Sequence, residues 1–270
     1  MDRDNGLIKE YYEDGGIESE SEYKDGFRDG MTIEYWPNGK LKHKGRYKQG
    51  GEDELHTYWD YDGPIEKEVT YKDCELHGKK TTYYTYDESN GSQAYKGDGP
   101  KKQEDNYKDG ELHGLCIAWH SNGQKQAEGM FKYGEFDGLM TIWFDNGQKK
   151  VEATFVNGKR EGVVTDWNSD GSKYIESNYK NGELHGLYTD WSWTATGRPQ
   201  SKYKSYEVNF KNGELDGVCV RYWPGGLRQM YAEISNGKIT NCRYWNDNEE
   251  EIECDKRESV GSFMPMRLQD

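Results

Sequence analysis

Apolar and polar residues alternate over short stretches of the chain, and a turn signal follows each stretch. From Leu115 to His120 every second residue is a large apolar one, and the same alternation runs from Met31 to Trp36. Alternation with a period of two over six residues is typical of a half-buried β-strand. The step Asn122-Gly123 follows, and a second alternating stretch leads to Tyr133. The pattern therefore predicts a β-hairpin with a turn at Asn-Gly.

The hairpin pattern recurs every 24 residues, and most copies close with an aromatic residue followed, three residues later, by a glycine position. We number repeat positions from the residue that follows the preceding closing position. The closing residues are Gly26, Gly50, Cys74, Gly110, Gly134, Gly158, Gly182, Gly213 and Gly237. Two repeats are longer: the repeat that ends at Gly110 has 36 residues, and the repeat that ends at Gly213 has 31. A period of this length predicts a stacked array, and such arrays usually bind other molecules.

The turn and the alternation together predict a register and a buried face. If residues 121–123 form a three-residue loop with Gly123 left-handed, the odd positions of both strands share one face. The predicted pairs are Trp119 with Lys125, Ile117 with Ala127 and Leu115 with Gly129. The predicted fold is all-β, an elongated open antiparallel sheet of about nine and a half consecutive hairpins. Its odd face, with Leu, Ile and Trp rows, is expected to be the core.

A single array is predicted over residues 1–248, from a first repeat at Arg3 to a truncated tenth at Lys238. Insertions near 87–106 and 194–206 lengthen two repeats and are locally basic, so they are candidate binding segments. Residues 249–270 carry no repeat. This tail could cap the open end of the sheet, stay disordered or hold a partner-binding motif, and the sequence does not choose.

The segment Tyr107-Lys108-Asp109-Gly110-Glu111-Leu112-His113-Gly114, with close copies at 179–186 and 210–217, resembles the MORN repeat and most of all its bacterial variant form. The resemblance covers about residues 3–248 and implies consecutive β-hairpins in an open sheet. Bacterial proteins built only from such variants are often labelled as antitoxin or immunity components. Eukaryotic MORN proteins are typically scaffolds, some of them linked to membranes. The resemblance is specific for the fold and carries no active-site signature.

Charge narrows the class of partner. The net charge of -14 argues against nucleic acid and anionic lipid surfaces and favours a basic protein partner, although acidity also keeps an extended sheet soluble. No apolar stretch reaches the ~20 residues that cross a bilayer, and the amino terminus does not resemble a signal peptide. The five cysteines have no CxxC spacing, which favours a reducing cytoplasm over a disulfide framework.

The histidine row at the third position is the strongest candidate for metal chemistry, and spacing argues against it. His77, His113 and His185 share this position, and other repeats have an acidic residue there. Neighbours along such a ladder would be roughly 9–10 Å apart, whereas metal ligands lie ~2 Å from a common ion. We therefore expect a turn-stabilising role, and no metal or cofactor. Catalytic motifs are also missing from the sequence, so an enzyme is not expected.

Partner contacts are expected on the irregular even face and on the insertions, since aromatic side chains beside charges are good protein anchors. The candidate residues are Trp36, Tyr58, Phe144, Asp166, Asp190, Arg221 and Trp223, with Lys101, Lys102 and Arg198 from the insertions. The alternative is that these aromatic residues only pack against the sheet.

The leading hypothesis is a cytoplasmic antitoxin or immunity protein that occludes a basic toxin or effector domain. The alternative is a scaffold that self-associates through its sheet, for which a homodimer is expected. A third hypothesis, a carbohydrate-binding array, is disfavoured by the absence of a secretion signal.

Overall fold

The computed structural model describes residues 5–87, 93–94, 98–193 and 202–252. Within them the chain is all-β, an open antiparallel sheet of consecutive hairpins, which confirms the predicted fold class. None of these residues form a helix that could cross a membrane. The chain divides into two compact units, residues 1–136 and 137–270, and the division falls inside one strand.

The first unit contains thirteen strands among the described residues. Strands β8 and β9 pair with each other, β10 pairs with β7, β11 and β12, and the other strands pair with their sequence neighbours. The strands are β1 (Gly6–Tyr11), β2 (Ile17–Lys24), β3 (Phe27–Tyr35), β4 (Leu41–Lys48), β5 (Gly51–Trp59), β6 (Ile65–Lys72), β7 (Glu75–Tyr83), β8 (Tyr86–Asp87), β9 (Gln93–Ala94), β10 (Lys101–Lys108), β11 (Glu111–Leu112), β12 (Gly114–Trp119) and β13 (Lys125–Lys132).

The boundary between the units lies in strand β14, Glu135–Trp143. The later strands of the second unit follow the same hairpin order. They are β15 (Lys149–Val156), β16 (Lys159–Arg160), β17 (Gly162–Trp167), β18 (Lys173–Lys180), β19 (Glu183–Trp193), β20 (Lys202–Lys211), β21 (Glu214–Tyr222), β22 (Arg228–Ser235), β23 (Lys238–Trp245) and β24 (Glu251–Ile252).

The predicted three-residue loop forms in the hairpins of the 24-residue repeats. The His120 N–H donates to the Gln124 carbonyl oxygen at 2.8 Å, which closes the loop around residues 121–123. Gly123 has a φ of 82°, the left-handed conformation that glycine adopts without steric cost. Trp119 pairs with Lys125, which confirms the first pair of the predicted register.

The rest of the predicted register is wrong because a β-bulge follows that first pair. The register shifts between Ala118 and Trp119, so Cys116, and not Leu115, lies opposite Gly129. Likewise Ala127 pairs with Ala118 instead of Ile117. A bulge sets two residues of one strand against one of its partner, and the parity argument assumed that none was present. The buried face is therefore the opposite one: Leu115 is 40% exposed, whereas Cys116 is 8% exposed.

The core lies on the side of the sheet where repeat position 6, in the first strand of a hairpin, faces repeat position 19, in the second strand. We call this side of the sheet the core face. A larger side chain commonly meets a smaller one across the pair. In the first unit the pairs are Thr32 with Gly45, His56 with Val69 and Cys116 with Gly129. In the second unit they are Met140 with Ala153, Val164 with Ser177, Tyr188 with Val208 and Cys219 with Ala232.

The closing positions form two-residue turns between consecutive hairpins. Asn157 and Gly158 have φ values of 48° and 74°, the two positive values that a type I′ hairpin turn requires. Cys74 takes the glycine place with a φ of 70°. Its Sγ lies 1.9 Å from where a Cβ at position 51 would stand, so Gly51 leaves the space that the Cys74 side chain fills.

The cysteines differ in state. Cys74, Cys116 and Cys219 are free thiols, and Cys242 is disulfide-bonded. Burial raises the pKa of the Cys116 and Cys219 thiols to about 11, so both are protonated and inert at neutral pH. The bonded Cys242 was not expected from the cysteine spacing.

Candidate binding surfaces

The side of the sheet opposite the core face carries an exposed aliphatic residue at position 5 of most repeats. We call this side the aliphatic face. In the first unit the row is Leu7, Met31, Leu55 and Leu115, and in the second it is Leu139, Val163 and Leu187. The exposed fractions run from 36% for Met31 to 60% for Leu7. A repeated row of exposed aliphatic side chains is a feature of interaction surfaces rather than of scattered surface residues.

Charged pairs and aromatic rings lie beside this row. In five described repeats a lysine at position 15 forms a salt bridge with a glutamate at position 18. In the two longer repeats these positions are counted back from the closing glycine. The pairs are Lys101–Glu104, Lys125–Glu128, Lys149–Glu152, Lys173–Glu176 and Lys204–Glu207. A lysine of one repeat also covers the position-9 tryptophan of the next, as Lys149 does at 5.7 Å from the Trp167 ring. The face thus presents apolar and charged groups together, the mixture that protein interfaces use.

Threonine fills position 7 on the same face in five repeats, between the aliphatic and aromatic rows, and four of these threonines are buried. The buried four are Thr81, Thr141, Thr165 and Thr189. Short side chains at this position let the neighbouring position-5 and position-9 side chains cover the sheet. The exposed surface is therefore supplied by the longer side chains around the threonines.

Five third-position side chains accept hydrogen bonds from the closing turns, which confirms the predicted turn-stabilising role for them. His113 differs, because its buried Nδ1 has no hydrogen-bond partner among the described residues and its ring lies 5.1 Å from that of Tyr133. The backbone N–H of Asn181 donates to Glu161 Oε2 at 2.8 Å, and that of Gln49 donates to Asp29 Oδ2 at 3.3 Å. His77 and His185 accept in the same way through Nδ1, at 3.5 Å. Within the described residues, no group of three His, Cys, Asp or Glu side chains is arranged to hold a metal ion.

Known repeat families match the hairpins themselves. Four segments, residues 4–25, 28–49, 112–133 and 136–157, match the MORN repeat variant, and residues 206–228 match the MORN repeat. The chain is a MORN repeat protein. The search of curated proteins found no match. Hairpins outside the matched segments keep the MORN register, as His56 opposite Val69 and Val164 opposite Ser177 illustrate. MORN repeats indicate a protein-binding or scaffold role and are typically non-catalytic.

The aromatic residues predicted to bind a partner lie on the core face of the MORN repeats and make internal contacts. The indole N–H of Trp36 donates to the Trp59 carbonyl oxygen at 3.2 Å, and that of Trp223 donates to the Trp245 carbonyl oxygen at the same distance. Each tryptophan therefore ties its hairpin to a residue 22 or 23 positions further along the chain. Phe144 is half-buried beneath the ammonium group of Lys150, at 5.6 Å.

Tyr58 belongs to a buried cluster that contains two histidines. Its ring stacks on His43 at 4.5 Å, and His43 Nε2 lies 2.9 Å from His56 Nδ1. His56 Nε2 lies 2.7 Å from the Arg46 carbonyl oxygen and must donate to it. With its proton on Nε2, the His56 ring offers Nδ1 as the acceptor for the Nε2–H of His43. Burial, and then the neighbouring His56, lower the pKa of His43 to about 4.

The charged residues predicted on the same face also have internal partners. Ser205 Oγ donates to Asp190 Oδ1 at 3.0 Å, and Asp190 is buried. Burial raises the pKa of Asp166, and the charge of its neighbour Arg160 opposes that rise. The Nε of Arg221 donates to the Gln229 side chain. These contacts give each residue a structural role, and a role in partner binding stays a prediction for them.

The insertions are only partly described. Lys101 donates to Glu104 at 2.6 Å, and the ammonium group of Lys102 lies 5.6 Å from the centre of the Tyr84 ring. Arg198 lies outside the described residues. The sequence reasoning assigned the aliphatic row to the core, and one signal argued otherwise: Lys79 occupies position 5 in the fourth repeat, where a core row would not place a charge.

Proposed function

We propose that this MORN repeat protein is a non-catalytic binding protein that holds a protein partner on its aliphatic face. The observation that carries the proposal is the exposed aliphatic row at position 5. Burying such side chains against a partner contributes roughly 25 cal/mol per Å² of apolar area removed from water. The paired charges beside the row would form the polar rim of the interface.

The specific form of the proposal is an antitoxin or immunity protein whose partner is a basic toxin or effector domain. The net charge of -14 supports a basic partner, because opposite charge accelerates association and suppresses wrong partners. Inhibition would be steric: the partner's active cleft is covered by the sheet, and no chemistry on this chain is needed.

The test is affinity capture from the native host with the full chain, followed by titration of the captured protein. A stoichiometric partner is expected, whose activity falls when the chain is bound. The double variant Leu139→Ser/Val163→Ser should weaken binding at least about tenfold, since two buried aliphatic side chains are worth more than about 1.4 kcal/mol together. Val156→Ser is the matched control, because Val156 is 48% exposed, against 50% for Leu139, and lies off the row.

Equal affinity for wild type and the double variant would remove the aliphatic face from the proposal. A captured partner that keeps its full activity when bound would remove the antitoxin role and leave a binding protein.

Self-association through the sheet edge is the second candidate function. Among the described residues, β1 pairs only with β2, so its other edge offers free backbone groups for another strand. A scaffold of this kind would form dimers or larger assemblies in isolation, which light scattering on the purified chain would detect. Replacing Ile8 with proline should then dissociate them, because proline cannot donate to a strand ladder.

A further inference from the structure

The last complete repeat breaks the charge pattern of the aliphatic face. Its position 15 is Arg228 instead of lysine, and its position 18 is Tyr231 instead of glutamate. In the five repeats with the standard pair, the position-18 carboxylate neutralises the position-15 cation. Arg228 has lost that partner.

The following strand, β23, adds a second arginine through a one-residue shift. Cys242 lies opposite Ala232, so it takes the place that position 6 has in other repeats. Arg243 then lies opposite Tyr231, where other repeats have the position-7 threonine, as in the pair of Glu176 with Thr189. Trp245 takes the place of the position-9 aromatic residue.

These substitutions surround one concave space. The space has a volume of about 310 Å³ and is lined by Arg228, Tyr231, Glu233, Asn241, Arg243 and Trp245. The Tyr231 hydroxyl donates to Glu233 Oε1 at 2.5 Å, so the one carboxylate of the lining is already engaged. Both arginines are close enough to Tyr231 to oppose the rise in its pKa that the Glu233 hydrogen bond causes.

The two guanidinium groups have no acidic partner in the part of the chain that the structure describes. Glu251, whose backbone pairs with that of Trp245 on the next strand, forms no ion pair with either arginine. The lining therefore holds two positive charges and one negative charge, on a protein whose net charge is -14.

We propose that this space, the arginine pocket, binds an oxyanion: a phosphate or carboxylate group on a small anionic ligand. The guanidinium fork matches the geometry of both groups and bonds to them through two parallel N–H donors. The Asn241 amide adds further donors. Trp245 and Tyr231 supply aromatic walls against which the rest of the ligand can pack.

The experiment is calorimetric titration of the full chain with pyrophosphate and, separately, with citrate at low ionic strength. Saturable one-to-one binding of at least one anion is expected. The double variant Arg228→Lys/Tyr231→Glu rebuilds the ion pair of the other repeats, and Arg243→Thr rebuilds their position 7. Both should fold, as circular dichroism and thermal unfolding would verify, and each should weaken binding at least about tenfold.

Lys173→Ala is the matched control, because it removes one positive charge from the same face but from an existing ion pair. Its affinity for the anion should stay within about twofold of wild type. A preference for pyrophosphate assigns the pocket to phosphate, and a preference for citrate assigns it to carboxylate.

Three results would overturn the proposal: no saturable binding of either anion, binding that survives in both rebuilt variants, or an equal loss in Lys173→Ala. The last result would mean that the anion responds to general surface charge. The proposal does not rest on partner binding through the aliphatic row, so the Leu139 and Val163 variants should leave anion binding unchanged.

Discussion

The two units use the same register but fill their cores with different chemistry. In the first unit the buried residues of the core face are mostly polar: Ser19, Ser21, Thr32, His43, His56 and Asp105. In the second unit a contiguous apolar cluster contains Tyr188, Val208, Phe210, Leu215, Cys219, Met230, Ala232 and Ile234. Hairpin turns and strand pairing therefore suffice to specify the sheet, and the core is free to vary. The consequence should appear in how each unit responds to mutation and to pH.

The largest expected effect comes from the apolar core. Met230 is 2% exposed and contributes to the cluster at position 17, the place that His43 has in the first unit. Met230→Ala removes buried methylene and sulfur contacts and leaves a cavity, so the free energy of unfolding should fall by about 2–5 kcal/mol. Urea denaturation measures it. Leu227→Ala, at a 39% exposed turn residue, is the control and should change stability by less than about 0.5 kcal/mol.

A loss below about 1 kcal/mol for Met230→Ala would contradict a close-packed core in the second unit. It would mean that the sheet closes over the lost volume.

The second effect is a loss of stability on acidification that belongs to the first unit. The pKa of His43 is lowered to about 4 in the folded chain, from 6.5 for an ordinary histidine. The unfolded chain therefore binds the proton first as the pH falls. Stability is intact above pH 6.5 and declines as the pH falls towards 4, by at most about 3 kcal/mol.

Urea titrations across that pH range measure the decline. Acidic residues also titrate at the lower end of this range, so a variant without the histidines is needed for comparison. The double variant His43→Val/His56→Thr serves, because valine and threonine occupy these two repeat positions in other repeats. The double variant should lose less stability than wild type between pH 7 and pH 4. The same slope in both proteins would exclude the histidine pair as the cause.

Most of the fold can be predicted from the local sequence, but which face of the sheet is buried cannot. The Asn-Gly loop around Gly123 and the closing turns can be predicted because left-handed residues are needed there. The bulge beside Trp119 leaves no composition signal, and it moved the core from Leu115 to Cys116. Trp36 and Trp223 lie on this core face and hydrogen-bond within the sheet, and their contact with a partner stays a prediction.

The arginine pocket was also hidden from sequence reasoning. A repeat comparison shows Arg228 and Tyr231 at positions 15 and 18, but the shortened strand β23 puts Arg243 out of alignment with the threonine it replaces. Only the strand pairing brings the three side chains together. The partner, the cytoplasmic location and the antitoxin role stay predictions, because turn and core chemistry do not depend on them.

The smallest of the three expected effects tests whether the buried histidine of the first unit requires a glycine on the neighbouring strand. Position 19 is Gly45 in the second repeat, which belongs to the first unit, and buried Ala153 in the sixth, which belongs to the second unit. A Cβ at position 45 would lie 2.2 Å from Nδ1 of the fully buried His56 ring, so Gly45→Ala should cost about 1–3 kcal/mol by overpacking. The double variant Gly45→Ala/His56→Thr removes the clash and should recover more stability than the sum of the single changes predicts, since contacting residues couple. Additive losses in urea denaturation would show that the ring moves aside freely, and that the glycine is not kept for the histidine.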